Sequence, residues 1–271
     1  EPTNPRRPEP WRTPINLDRF ASRLIAAYDP GNRRDRPRPD YVIGIEDVEL
    51  VNAELAALYQ LPNPEQYGEG FTKVTLPPEQ LRGGLLGQAG MLSLLGHVTT
   101  TSPTYRGKFV RQQLLCQTIP APPVNVDTQL PEGAEWRTMR EKLEAHMSDP
   151  GCAGCHKMMD PIGLGLENYD GVGRFRTMEN GVMIDTLSDM EGEPFDGAAE
   201  LGAIVAARPK FSLCTILNLY RHATGHVEDD GELARLEDVD AAFVAGQYRF
   251  KAALVELVAS KAFRFVGEQD Q

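Results

Sequence analysis

The sequence predicts a mostly α-helical protein with Gly- and Pro-rich loops and little β structure. Apolar residues recur at three- and four-residue intervals through most of the chain. The runs that carry them are bounded by prolines, glycines and capping residues. Only one short hairpin signal, around Glu179–Gly181, interrupts the pattern, and no internal repeat is visible.

Residues 1 to 14, EPTNPRRPEPWRTP, are polar and Pro-rich and read as an extended arm or the end of something longer. Phe20, Leu24, Ile25 and Tyr28 then fall at helical spacing before PGNRRDRPRPD breaks the run. The basic residues of that loop read as solvated. EDVELVNAELAALYQLP is expected to form a helix stopped near Pro62, and LPPEQLRGGLLGQAGMLSLL another begun after Pro78, weakened by its glycine pair. A short helix is expected over Lys108 to Cys116, ending in a proline stretch that links two lobes. In RTMREKLEAHMSDPGC, Thr138 and Glu141 form a capping box, and Met139, Leu143 and Met147 share one face. This helix leads to Cys152. Residues 161 to 198 are rich in Gly and Asp and read mainly as loop. Four helices close the chain, over 198–207, 210–224 stopped by Gly225, 232–246 and 250–263.

The totals narrow the function classes. With 271 residues the chain can bury a real core in one large domain or two smaller ones. A formal charge of -11 argues against a nucleic-acid footprint, which needs clustered Lys and Arg, and suits a basic protein partner. No run of eighteen apolar residues occurs, so no transmembrane segment is expected. Nothing after Glu1 resembles a signal peptide, and a leader is expected to lie upstream or to have been removed.

The chemistry concentrates in DPGCAGCHKMMDP, Asp149 to Pro161. Two thiols three residues apart share one side of a helical turn and can add to the two vinyl groups of a porphyrin, while the adjacent imidazole reaches the iron. This is the attachment pattern of c-type haem. Cys152 and Cys155 are therefore the expected thioether anchors of one covalent haem c, and His156 is the iron ligand. Ala153 and Gly154 between them are small, which lets the backbone pass close to the ring edge. Three other readings compete. Structural zinc wants four protein ligands, and a second C-x-x-C or H-x-x-H pair is absent, Cys116 and Cys214 standing alone. A redox dithiol wants a βαβ context, which is missing. An ordinary disulfide leaves His156 unexplained. Covalent haem also implies a periplasmic or extracellular compartment, where Cys116 and Cys214 are expected to pair, two unpaired buried thiols being the alternative.

The second axial ligand decides between an electron carrier and an open, reactive iron. Met183 is the preferred candidate, with Met178 and Met190 in the same loop. His97, His222 and His226 compete with them, as does no ligand at all; His146 lies on the polar side of its helix and ranks below these. Met158 and Met159 are too close to His156 to reach the opposite face and are expected to pack against the porphyrin. Arg174 and Arg176 are the expected partners of the haem propionates, with Arg106 behind them. Asp160, Glu167 and Asp170 lack the spacing of a calcium loop, and no calcium is assigned.

Five stretches, VNAELAALYQLP, TSPTYRGKFVRQQLLCQTIPAPPVNV, CAGCHKMMDPIGLGLENYDGVGRFR, FDGAAEL and YRHATGH, occur in the order found in one family. Through them the chain resembles the C-terminal half of the multidomain cytochrome-c-like proteins of planctomycetes and myxobacteria, built from linked domains of unknown function. The resemblance implies the end of one helical domain over 1–95, a haem-bearing domain over 96–189 and a helical domain over 190–271. It also implies a partial or cleaved piece of a longer protein. His222 and His226 depart from the family, where an aromatic residue and an arginine are frequent. The resemblance supplies no reaction. The leading expectation is an exported mono-haem module carrying electrons between partner proteins. A haem-dependent oxidoreductase with an open distal site is one alternative, and a haem-bearing subunit of an envelope electron-transfer complex is another.

Overall fold

The computed structural model describes residues 48–120, 136–148 and 150–264. The expected arm, the helix over Phe20 to Tyr28 and the Pro/Arg loop lie outside them, as does most of the proline stretch after Cys116. Among the described residues the fold is mostly helical, 57% helix and 10% strand, and the strands form only two-stranded antiparallel sheets. The described residues all belong to one compact unit.

The segment expected to be one helix up to Pro62 begins as a strand. β1 (Val48–Val51) pairs antiparallel with β2 (Thr72–Thr75), and only Ala53–Leu58 coils into α1. The reason is Asn52, whose Oδ1 accepts the Leu55 N–H at 2.9 Å and starts the helix there. The second expected helix is also broken, into 3₁₀ turns at Pro78–Gln80 and Leu85–Gly87 and a short α2 (Ala89–Leu94). Leu81 and Gly84, both at positive φ, reverse the chain between the turns. Arg82 is thereby buried between the Tyr59 and Tyr169 rings, its Cζ 4.3 and 4.7 Å from their centres.

The next helix starts earlier than expected. Ser102 caps it and Pro103 occupies its first turn, so α3 spans Pro103–Phe109 and continues as a π turn over Val110–Leu114. Cys116 sits beyond it at φ 49°. α4 (Met139–His146) starts at Thr138 as the sequence indicates, but the capping box is half made. Thr138 Oγ1 accepts the Glu141 N–H, whereas the Glu141 carboxylate reaches one residue further back, to the Arg137 N–H. α5 (Pro150–Leu164) follows, running through Pro161 into the region read as loop.

The expected hairpin is present, β3 (Met178–Glu179) against β4 (Val182–Met183), turned by Asn180 and Gly181 at positive φ. A second hairpin, β5 (Leu187–Met190) with β6 (Glu193–Asp196), turns at Glu191–Gly192. It places Met190 and Phe195 in the core with Leu166, Ile162 and Leu201. The C-terminal helices are α6 (Gly197–Ala206), α7 (Pro209–Thr224), α8 (Asp230–Ala245), α9 (Phe250–Ala259) and α10 (Lys261–Arg264). Gly225 ends α7 at φ 79°, and a full capping box between Asp229 and Glu232 starts α8 two residues before the expected point. Ile216, Tyr220, Leu236, Phe243 and Leu257 form their own apolar cluster.

Two features fix the helix that carries the motif. α3 and α5 cross at backbone contact: a methyl at Gly107 would lie 1.9 Å from the Met159 carbonyl oxygen, and one at Gly163 1.9 Å from that of Pro103. Only glycine permits that approach. Cys116 and Cys214 form a disulfide with Cα atoms 5.4 Å apart, tying the end of the π turn to α7 across 98 residues of sequence. Asn218 Nδ2, one turn along α7, donates to the Gln113 carbonyl at 2.7 Å beside it.

Candidate functional site

α5 brings the motif onto one stripe. Cys152, Cys155, His156 and Asp160 stand three and four residues apart along the helix, the spacing that stacks side chains on one face. Cys152 is buried and Cys155 half-buried, with its sulfur 3.9 Å from the Pro120 carbonyl oxygen. Both stay outside the Cys116–Cys214 disulfide.

His156 is held from its Nδ1 side, where Asp160 Oδ2 lies at 2.8 Å. Asp160 is 0% exposed, and its other oxygen accepts the Thr104 hydroxyl proton at 2.8 Å. A carboxylate only accepts, so Nδ1 carries the proton and Nε2 holds the lone pair available to a metal. The bond to the carboxylate holds the imidazole's pKa above its ordinary range against the opposing effect of burial. The His146 ring, from α4, meets His156 edge to face with centres 4.7 Å apart. This buried neighbour is the residue ranked below the other histidines from sequence.

Around the C-terminal half of α5 the charged side chains have structural work. Arg106, 0% exposed, donates through Nη1 to the carbonyls of Leu166 and Tyr169 and to Glu167 Oε1, and through Nη2 to the Asp170 carbonyl. Glu167 Oε2 also accepts from Thr101 Oγ1 at 2.7 Å and Arg176 Nη2 at 3.1 Å. Burial pushes the Glu167 carboxyl up, opposed by Arg106, Thr101 and Arg176. Asp170 Oδ1 accepts the backbone N–H groups of Val172 and Arg174. The three acids weighed for calcium thus each have separate protein partners. Arg111 Nε donates to the Met158 carbonyl at 3.0 Å and its Nη1 pairs with Glu191, bracing α5 from the π turn.

The remaining candidates are spread out. Arg174 is exposed, whereas Arg176 is engaged with Glu167 and with Glu179. Met183 is 76% exposed and faces Met178 across the β3–β4 pair; Met190 is 1% exposed inside the core. Met158 is at the surface and Met159 is buried. His97 is exposed beside Tyr105. His222 lines an apolar cavity of about 220 Å³ with Leu85, Leu114, Phe211, Leu219 and Phe250, to which no residue of the motif contributes. His226 has both ring nitrogens in hydrogen bonds, Nε2 with the Tyr220 hydroxyl at 2.8 Å and Nδ1 with the Val227 carbonyl at 2.9 Å.

The Tyr220 hydroxyl gives its one proton to Glu232 Oε1 at 2.6 Å, so YRHATGH is a helix-end lock between α7 and α8. The tyrosine's proton is held well above its ordinary range by burial and by that carboxylate. Sequence reasoning missed Thr104 altogether, and it missed Asp160 as the partner of His156. A carboxylate four residues after a helical histidine was the available signal.

Among the described residues no three or more His, Cys, Asp or Glu side chains gather as a metal cluster. Cys116 and Cys214 are consumed by their disulfide, so a closed zinc site cannot draw on them. No helix among the described residues is long and apolar enough to cross a membrane.

No curated protein matches the chain, and no solved structure matches it. Two family models do. Residues 82–179, which include the motif, α3 and the Arg106 network, match the model described as "Protein of unknown function (DUF1588)". Residues 191–263, which include Cys214 and the Tyr220 lock, match the one described as "Protein of unknown function (DUF1585)". The disulfide joins the two matched segments. The chain therefore carries two domains of unknown function that are typical of multidomain cytochrome-c-like proteins.

Proposed function

We propose that this chain is an exported mono-haem c-type cytochrome module that passes single electrons between partner proteins. The observation that supports it is the arrangement on α5, where two thiols outside the disulfide precede a histidine whose Nδ1 is already occupied by Asp160. The donor set fits a covalent haem. Cys152 and Cys155 would carry the thioethers, each S–H adding across one vinyl group with nothing lost. His156 would ligate through Nε2.

A bound haem c supplies a one-electron ferric/ferrous couple. The protein's residues do the rest. Asp160 and Thr104 orient the imidazole, and the α3–α5 crossing keeps that pair rigid. Arg174, at the surface, is the proposed propionate partner; Arg176 shares that role only by leaving Glu167. Met183 is the proposed second ligand, because its thioether is exposed while Met190 is packed in the core and His226 is bonded at both nitrogens. The acidic surface suits basic redox partners. The oxidising compartment that covalent haem requires is the one in which the Cys116–Cys214 disulfide persists.

One observation favours a second reading, a haem-dependent oxidoreductase. A carboxylate-bonded histidine donates more strongly and stabilises oxidised iron. Spectroscopy separates the two. The carrier predicts a reduced-minus-oxidised spectrum with a c-type α-band and no change when carbon monoxide meets the ferrous protein. A shifted Soret band under carbon monoxide would favour the enzyme, the lack of a sharp α-band would overturn the carrier, and no Soret band at all would overturn both.

A further inference from the structure

We infer that Asp160 is the positioning residue of this centre: it locks His156 as the Nδ1–H tautomer, commits Nε2 to the iron and lowers the couple's potential below that of the same centre without the carboxylate. The inference rests on the haem reading above and deepens it by stating which way the potential is set and by which atoms.

The geometry is over-determined. Asp160 has no exposure, and each of its oxygens has one partner at 2.8 Å, Thr104 Oγ1 on one side and His156 Nδ1 on the other. Thr104 comes from α3, between Pro103 and Gly107, the two residues at which that helix meets the α5 backbone. The carboxylate therefore cannot rotate without giving up both partners inside a buried site. Its fixed negative charge, in a site with little solvent to screen it, draws the Nδ1 proton and raises the electron density at Nε2. A ligand of greater basicity stabilises the ferric over the ferrous state. Thr104 limits the effect, since its hydroxyl shares the carboxylate's charge.

The test uses the haem-loaded protein and its Asp160→Asn variant, an isosteric change that keeps an acceptor oxygen and removes the charge. Spectroelectrochemical titration is expected to show the equilibrium shifted roughly tenfold toward the ferrous state, a rise of about 59 mV for a one-electron couple. Thr104→Val keeps the carboxylate, removes the hydroxyl that shares its charge, and is expected to move the potential downward by less. It serves as the deciding variant should Asp160→Asn fail to fold. Haem attached in both proteins with an unchanged or lowered potential in Asp160→Asn overturns the inference and leaves the cytochrome reading standing. A wild-type chain that carries no haem overturns the cytochrome reading and this one with it.

Discussion

Replacing Arg106 with alanine is expected to remove about 3–5 kcal/mol of stability, the cost of breaking a buried ion pair from one side. The guanidinium satisfies three backbone carbonyls and one oxygen of Glu167 where no water reaches. Without it those carbonyls stay buried without that donor, and only Arg176 and the Thr101 hydroxyl are left to hold the Glu167 carboxylate. Against a usual total of about 5–15 kcal/mol, the loss would leave the folded state marginal. Arg106→Lys is expected to recover little, because one ammonium cannot span acceptors arranged around a planar fork. Chemical denaturation with an unchanged m-value reads the difference; a loss under about 1 kcal/mol for Arg106→Ala would contradict the network's assigned weight.

Removing the disulfide is the second large effect. Cys116 and Cys214 close a loop with a sequence separation of 98, for which chain-entropy arguments give about 4.7 kcal/mol per hundred-residue loop. The double variant Cys116→Ser, Cys214→Ser is expected to lose stability on that scale, as is the oxidised protein once reduced. The loss should appear first where the π turn meets α7 rather than as uniform melting. α7 to α10 keep their own apolar cluster, while their tie to the π turn reduces to contacts such as Asn218 with Gln113. Hydrogen exchange following the amides near Leu115 against those near Leu236 measures this. Equal protection loss at both places would contradict it.

Much of the helical architecture is legible in the sequence where local chemistry is strong. α7 is bracketed by Pro209 and Gly225, and α4 begins at Thr138, because caps act within one turn. Val48–Val51 was misread because four residues of apolar character fit either period, and the capping by Asn52 that separates strand from helix was overlooked. The β5–β6 hairpin escaped because its turn, Glu191–Gly192, lies among so many acidic and glycine residues that it resembles loop. The break after Pro78 depends on burying Arg82 between two tyrosines, one of them 87 positions away, which no local window contains.

The candidate site divides in the same way. Cys152, Cys155 and His156 are legible because attachment chemistry demands a fixed spacing. Asp160 is four residues further along the same helix, but Pro161 suggests that the helix has ended, which hides the shared face. Arg106 and Arg176 were read as propionate partners because arginine suits carboxylates in general. The structure gives both of them the same carboxylate of their own chain, Glu167, and tertiary packing alone makes that choice.

Intact-mass determination on the protein secreted by a host able to attach haem tests the central claim most directly. The account predicts the polypeptide plus one haem, with the addition lost when Cys152 and Cys155 are both replaced by alanine. A wild-type chain at its bare polypeptide mass, in a host that loads another c-type cytochrome, would contradict it.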